Sequence, residues 1–271
     1  MIIDSHTHIS KLLGTKFSED YDKNLSYLLD EMTLNGIDRS LLIAGFNNES
    51  RLRPTTEEAI AYIDKTPKIS VVGSIDVLNY DEEYLVEIEK WFGDNKIVGI
   101  KMYTGYQHFY PADERCVPIY NLCIKYNKPV IFHTGDTLAG AVKNPKLKYA
   151  HPLNIDEIAS DMPDLKIVIA HMGNPWLVDC AEILYKNRNV YADISGLVVG
   201  DDLDNPYGVM TRKRIRDLID YDSLNFKLIY GTDWPLCPMD VYLKFVKTLE
   251  LTNDQQEKLF FKNAQKVFGL A

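Results

Sequence analysis

Ile2-Ile3-Asp4-Ser5-His6-Thr7-His8 opens the chain with two β-branched apolar residues followed by five polar ones. In a strand, residues i and i+2 share a face, so His6 and His8 project together, with Asp4 one pleat deeper on the same side. The same kind of unit recurs outward from this segment. Strand candidates follow at Ser40–Ala44, Ile69–Ile75, Ile97–Tyr103, Pro129–His133, Lys166–His171, Val190–Ile194 and Lys227–Gly231, which with Ile2–His8 makes eight. Amphipathic helix candidates lie between them at Tyr21–Asn35, Thr55–Lys65, Asp81–Phe92, Asp113–Tyr126, Leu177–Asn187 and Tyr207–Tyr221. Runs such as Ile97-Val98-Gly99-Ile100 and Lys166-Ile167-Val168-Ile169-Ala170 are apolar on both faces, the pattern of parallel strands covered by helices. Eight strand–helix units of about 34 residues account for the chain, the arithmetic of an α/β protein of (β/α)8 TIM-barrel type. An open doubly wound sheet is the rival. Its nucleotide-binding form is weakened because no Gly-x-Gly-x-x-Gly follows the first strand and no Walker sequence occurs.

The chain has 271 residues and no internal repeat, low-complexity tract or linker, so a single domain over 1–271 is expected. Apolar residues at 46% and charged residues at 25% supply a core and exclude disorder. Acidic residues outnumber basic ones, 39 against 30, for a net charge of −9, a sign that repels phosphate backbones. The expected partner is therefore a small-molecule substrate, with no nucleic acid and no membrane; a homo-oligomer is compatible with all of this. No apolar run reaches the roughly 18 residues of a membrane span, and the N-terminus lacks a basic-then-apolar leader. The four cysteines, Cys116, Cys123, Cys180 and Cys237, form no Cys-x-x-Cys pair and read as reduced thiols of a cytoplasmic protein.

Thr252–Phe268 reads as a closing helix, with Thr252 and Gln255 at capping-box spacing and Gly269 as its stop. Two connections, Thr104–Ala112 and Thr134–Leu153, are long for loops that follow strands. In a barrel they stand over the mouth, where loops shape substrate pockets.

Four of the six histidines fall at predicted strand ends: His6 and His8 on the first, His133 on the fifth, His171 on the sixth. Asp233 follows the eighth strand, and Lys101 lies near the end of the fourth. Barrel closure brings these ends to one rim. Imidazole nitrogens and a carboxylate without cysteine suit a divalent metal, zinc first, at a catalytic site rather than a closed structural one. Separately, His-x-His can be a hydrogen-bonded core pair and Asp233 a helix cap. Their joint placement favours the metal. Asp4 is read either as a carboxylate fixing a ligand imidazole or as a buried polar residue near the barrel floor.

Six segments resemble the amidohydrolase superfamily, and within it the amidohydrolase-related branch that includes enzymes similar to aminocarboxymuconate-semialdehyde decarboxylase. They are Ile3-Asp4-Ser5-His6-Thr7-His8, Gly99-Ile100-Lys101-Met102-Tyr103, Val130-Ile131-Phe132-His133-Thr134-Gly135, Ile169-Ala170-His171-Met172-Gly173-Asn174-Pro175-Trp176, Tyr191-Ala192-Asp193-Ile194-Ser195-Gly196 and Tyr230-Gly231-Thr232-Asp233-Trp234-Pro235. The resemblance implies a metal-dependent hydrolase with His6, His8, His133 and Asp233 as ligands of one metal. His171 is then an acid/base contacting the metal's water or a ligand of a second metal. It implies that the metal lowers the pKa of that water to about 7, that Asp233 shuttles its proton, and that His171 helps stabilise charge on the substrate carbonyl. Lys101 stands where dinuclear relatives carry a carboxylated lysine; it is either that carbamate or an unmodified ammonium for a substrate carboxylate. Amide, lactone and C–C bond hydrolysis are the first reading, with non-oxidative decarboxylation as the alternative and an inactive binding barrel as the rival of another class. Tyr103, Tyr106, Gln107, His108, Trp176 and Trp234 are further candidates for the pocket wall.

Overall fold

A computed structural model describes residues 1–10, 20–46, 52–137, 142–200, 203–221 and 226–270. Residues 138–141 of the long Thr134–Leu153 connection lie outside the described residues. The elements run β1 (Ile3–Thr7), α1 (Tyr21–Asn35), β2 (Arg39–Ile43), α2 (Thr56–Ile60), β3 (Ile69–Ser74), α3 (Glu82–Gly93), β4 (Ile100–Met102), α4 (Val117–Lys125) and β5 (Val130–Phe132). They continue with α5 (Asp156–Asp161), β6 (Ile167–Ile169), α6 (Leu177–Lys186), β7 (Val190–Asp193), α7 (Pro206–Tyr221), β8 (Leu228–Ile229), α8 (Met239–Lys247), α9 (Asn253–Glu257) and α10 (Asn263–Phe268). The eight strands are parallel and pair in sequence order. Closure comes at β1 and β8, where Ser5 N–H donates to Tyr230 O at 2.9 Å, Asp233 N–H to His6 O at 2.8 Å and His8 N–H to Trp234 O at 2.7 Å. The result is a (β/α)8 TIM barrel. None of its described helices is long and apolar enough to cross a membrane.

Local sequence explains the element ends. Asp20 accepts the N–H of Asp22 at 2.8 Å to start α1, and Gly36, at φ 67°, ends it. Leu25, Leu28 and Met32, spaced by three and four residues, are the buried stripe between. The expected helix over Thr55–Lys65 is shorter. It keeps its Thr55–Glu58 capping box but after Ile60 tightens into three-residue turns, with Ile63 N–H bonding Ile60 O and Lys65 N–H bonding Tyr62 O. The Thr252–Gln255 box and the Gly269 stop frame the C-terminal segment, which passes through a π turn at Lys258–Lys262.

Two layers of apolar side chains follow from strand alternation. Ile100, Met102, Val130, Phe132, Ile167 and Ile169 face the helices. Leu41, Ile43, Val72, Tyr103, Ile131, Val168, Tyr191 and Ile229 face inward and meet Ala264, Val267 and Phe268 of α10. Asn263 donates to the carbonyls of Phe226 and Leu228, so α10 closes the barrel floor under the strand N-termini and leaves the C-terminal rim open for chemistry.

Candidate metal centre

From Asp4 to Thr7, β1 advances three residues while its partner β2 advances two, from Ser40 to Leu42. One extra residue reverses the inside–outside alternation. Ile3 is inward below this bulge. Above it His6 and His8 turn toward Asp233 Oδ1, at 3.7 and 3.3 Å from their Nε2 atoms. The bulge removes Asp4 from their face and corrects the expectation that it lies beneath them. Asp4 Oδ1 accepts the N–H of Thr232 at 3.0 Å and of His6 at 3.2 Å, and Oδ2 accepts the Thr232 hydroxyl at 2.7 Å. Asp4 thus braces the turn that carries Asp233. Burial pushes its carboxyl up to about 7, with the bonds from Thr232 and His6 pulling the other way.

The remaining strands deliver their side chains by simple alternation. Lys101 shares the inner face with Tyr103, His133 with Ile131, and Asp193 with Tyr191. His171 is the exception: alternation points Ala170 inward, and left-handed backbone at His171 (φ 59°) and Met172 (φ 46°) swings the imidazole over the rim. Asp233 is also left-handed, at φ 66°. Such a conformation costs a non-glycine residue about 1–2 kcal/mol, and fixed partners hold it. Asp233 N–H bonds His6 O and Leu236 N–H bonds Asp233 O, both at 2.8 Å. His171 N–H donates to Asp193 Oδ1 at 2.9 Å. Gly196, at φ 66°, lies beneath both side chains, where a Cβ would come within 3.1 Å of His171 Nδ1 and 3.3 Å of Asp233 Oδ2.

Each of the four imidazoles has one nitrogen facing an oxygen that can only accept. His6 Nδ1–H donates to Asp193 Oδ2 at 2.9 Å, His8 Nδ1–H to Ile43 O at 3.1 Å, His133 Nε2–H to Asp136 O at 3.0 Å and His171 Nδ1–H to Ser195 O at 3.1 Å. These partners select the tautomers. The lone pairs are left on Nε2 of His6, His8 and His171 and on Nδ1 of His133. The rings are grouped, with centroid separations of 5.2 Å for His6–His8, 4.8 Å for His6–His171 and 5.1 Å for His133–His171. Burial lowers the pKa of His8 to about 3 and of His171 to about 4, and holds His133 well below the ordinary value. Burial alone would raise Asp233, but the surrounding imidazoles of His8, His171 and His6 hold its carboxyl well below the usual range. The rim therefore offers neutral nitrogens beside an ionised carboxylate, the donor set that suits zinc or a similar divalent ion.

Two ligand triangles share His6: with His8 and Asp233, and with His171 and Asp193, the ligand atoms of each lying within 4.8 Å of one another. The second is already filled by hydrogen bonds, on the Nδ1 side of His6. The first lies on its Nε2 side, where no hydrogen is needed to join the atoms. It is the triangle that fits a metal.

Lys101 is 1% exposed and its Nζ has no hydrogen-bond partner among the described residues. It lies 5.6 Å from the Tyr103 ring centroid, and burial lowers its pKa to about 8 against the pull of Asp193 and Asp233. Sequence reading missed its companion, Arg53. The guanidinium carbon is 5.7 Å from the Tyr103 centroid, one amino group donates to the Tyr103 hydroxyl at 3.2 Å, and the buried Nε has no partner among the described residues. Tyr103 in turn donates to Ala44 O at 2.7 Å. No periodicity marks Arg53, which stands in the β2–α2 loop. Asp193 and Ser195, also unassigned from sequence, were accessible to the same strand-end logic that singled out the histidines.

Among the other candidates, Tyr106 packs against His133 at a tilt, with centroids 4.5 Å apart, and Trp234 is buried beside Asp233. Gln107 instead anchors the loop after β3 through Asp76 and Val77 N–H. His108 donates to Asn144 O at 2.9 Å and stacks on Tyr149, joining the two long loops, and Trp176, between β6 and α6, packs on His151 of the second.

Solved structures share this architecture along their whole length. A TIM-barrel protein of Bordetella bronchiseptica matches at TM-score 0.76 and 22% identity, covering 99% of this chain and 98% of its own. A probable 2-pyrone-4,6-dicarboxylic acid hydrolase of Acinetobacter baumannii, with citric acid bound, matches at 0.70 and 15%, covering 99% of both chains. The 5-carboxyvanillate decarboxylase of Sphingomonas paucimobilis matches at 0.70 and 15%, covering 100% of this chain and 99% of its own. No curated protein matches the sequence. The amidohydrolase family model, however, matches residues 3–270, nearly end to end, and the chain belongs to the amidohydrolase family.

Proposed function

We propose that the protein is a metal-dependent hydrolase in which water attacks a carbonyl carbon (amide, lactone or C–C-bonded) of a small, carboxylate-bearing substrate. The observation that carries this is the tautomer pattern: four imidazoles, each tied by one nitrogen to an oxygen, leave four lone pairs beside the ionised Asp233. His6, His8, His133 and Asp233 would hold the ion, zinc by its donor set. When bound, the ion supplies Lewis acidity, lowering the pKa of a water toward neutrality and polarising the substrate carbonyl.

The chain's own residues do the rest. Asp233 accepts the proton that water loses and returns it to the leaving group as the carbon–leaving-group bond breaks. His171, held by Ser195 and lying at 4.8 Å from His6, faces the same rim and helps orient water and carbonyl. Lys101 and Arg53, each with an N–H left unpaired, bind the substrate carboxylate. Two structural neighbours, a probable 2-pyrone-4,6-dicarboxylic acid hydrolase and a 5-carboxyvanillate decarboxylase, agree with an acidic substrate. Four buried free cysteines fit a reducing, cytoplasmic setting, and the substrate is the partner this reading implies.

Decarboxylation is the second reading. The unpaired Lys101 ammonium favours it, because a carboxylate held there can leave as carbon dioxide with a proton taking its place. A panel of aromatic and aliphatic carboxylates assayed in H2(18)O decides: label in the product supports hydrolysis, whereas released carbon dioxide with unlabelled product replaces it with decarboxylation. Metal content per chain tests the shared premise, and an intact mass raised by one carbon dioxide would assign Lys101 to a carbamate.

A further inference from the structure

We infer that Asp193 and Ser195, at and just beyond the end of β7, form one positioning unit that fixes the tautomers of His6 and His171 and so sets the affinity of the rim for a divalent metal. This rests on the metal centre proposed above. Asp193 is 1% exposed, and the two backbone N–H groups aimed at its Oδ1 fit a carboxylate. Its Oδ2 accepts His6 Nδ1–H at 2.9 Å; its Oδ1 accepts the Ser195 hydroxyl at 2.5 Å, Ser195 N–H at 3.1 Å and His171 N–H at 2.9 Å. The Ser195 hydroxyl has one proton, and Asp193 takes it. Ser195 Oγ therefore meets the imidazoles with lone pairs, 2.8 Å from His171 Nδ1 and 3.1 Å from His6 Nδ1.

Only one arrangement of hydrogens satisfies every member. With the other tautomer, His171 Nδ1 would set a lone pair against the Ser195 carbonyl at 3.1 Å. The alternative donor, Ser195 Oγ–H, would have to leave Asp193. With the other tautomer of His6, the Asp193 carboxylate would face a bare nitrogen at 2.9 Å. Both rings are thus held with Nδ1–H inward to the β7 end and Nε2 free. Asp193 belongs to this unit rather than to the ligand set, although it completes a ligand triangle with the same two histidines.

The test uses the full chain. Long-range 1H–15N spectra of the metal-free, 15N-histidine-labelled protein should show Nδ1–H tautomers for His6 and His171; Nε2–H at either one overturns the inference. Zinc alone is then titrated against a chelating dye at pH 7.5. Partners of metal-ligating histidines are worth about 10–100-fold in affinity, so Asp193→Asn should weaken zinc binding by that factor. Its single acceptor oxygen cannot serve both His6 and the Ser195 cluster. Ser195→Ala, which keeps the residue-195 carbonyl facing His171 Nδ1, should weaken binding less and leave the Nδ1–H tautomer of His171 in place. A folded Asp193→Asn protein with wild-type zinc affinity overturns the inference. If that variant does not fold, the wild-type spectrum decides. Failure of the wild-type chain to take up zinc refutes the metal reading instead, and the tautomer spectrum still tests this one.

Discussion

Acidifying the metal-free protein from pH 7.5 to 5.5 should destabilise it through its buried histidines. Three histidines are buried as neutral rings: His8 with pKa about 3, His171 about 4, and His133 well below normal. In the unfolded chain each returns to about 6.5. A histidine whose folded value is depressed makes no difference above pH 6.5, where both states are neutral. As pH falls below 6.5 the unfolded state gains protons that the folded state refuses, and stability drops until the folded value is reached. From pH 7.5 to 5.5 each histidine removes about 1.4 kcal/mol and the three together about 4 kcal/mol, while Asp4, raised to about 7 in the fold, gains a proton there and returns about 2 kcal/mol, for a net loss of about 2 kcal/mol. Against a total of roughly 5–15 kcal/mol this is a large fraction. With a urea slope of about 3 kcal/mol/M, the unfolding midpoint in EDTA should fall by about 0.7 M between these pH values. Asp193 and Asp233, held low by the same imidazoles, contribute only below about pH 4 because their unfolded values lie there. A midpoint that stays constant from pH 7.5 to 5.5 would refute the neutral, buried assignment of these rings. His8→Gln should lower the loss by about 1.4 kcal/mol.

Gly196→Ala adds a Cβ at φ 66°, 3.1 Å from His171 Nδ1 and 3.3 Å from Asp233 Oδ2. It should destabilise the chain by about 1–2 kcal/mol and weaken zinc binding besides, both read from urea unfolding with and without zinc. Lys101→Met and Arg53→Met should each raise KM for a carboxylate substrate while leaving KM for its amide or ester analogue near wild type; equal KM values in both series would remove these cations from substrate binding. Asp233→Asn should lower kcat by about 10²–10⁴ on a chain whose thermal midpoint is retained, and near-normal turnover would make another group the base.

Which parts of this were legible from sequence follows from how local each cause is. The strand ends carrying Lys101, His133 and Asp233 were readable because alternation and β-branched runs act over a few residues. His6 and His8 were paired correctly for the same reason. Asp4 was misplaced by that very rule: the extra residue between Asp4 and Thr7 is visible only against the register of β2. His171 would be outward by alternation and reaches the rim through left-handed backbone, which its position at a strand end does not reveal. Arg53 is invisible to periodicity, since its place is set by Tyr103, fifty residues away in sequence. The short strands, two residues at β8 and three at β4, β5 and β6, are cores of longer predicted ones whose ends turn into loops to present site residues.

On the proposed reading, the charges of the rim also specify what it should take. Asp193 and Asp233 contribute two negative charges, and Arg53 and Lys101 two positive ones, since a lysine with pKa about 8 is mostly protonated at pH 7. The neutral imidazoles contribute none. The protein groups alone therefore balance, which is what a site with little access to solvent requires. A divalent ion brings the total to two positive charges, and a buried excess of that size calls for anions. A substrate carboxylate supplies one and a second substrate carboxylate can supply the other, because a proton passed from water to Asp233 leaves the charge of the site unchanged. Arg53→Met removes one positive charge without touching the ligands, so it should weaken competitive inhibition by a dicarboxylate more than inhibition by a matched monocarboxylate. Equal weakening for the two would place the second anion away from Arg53 and break this balance.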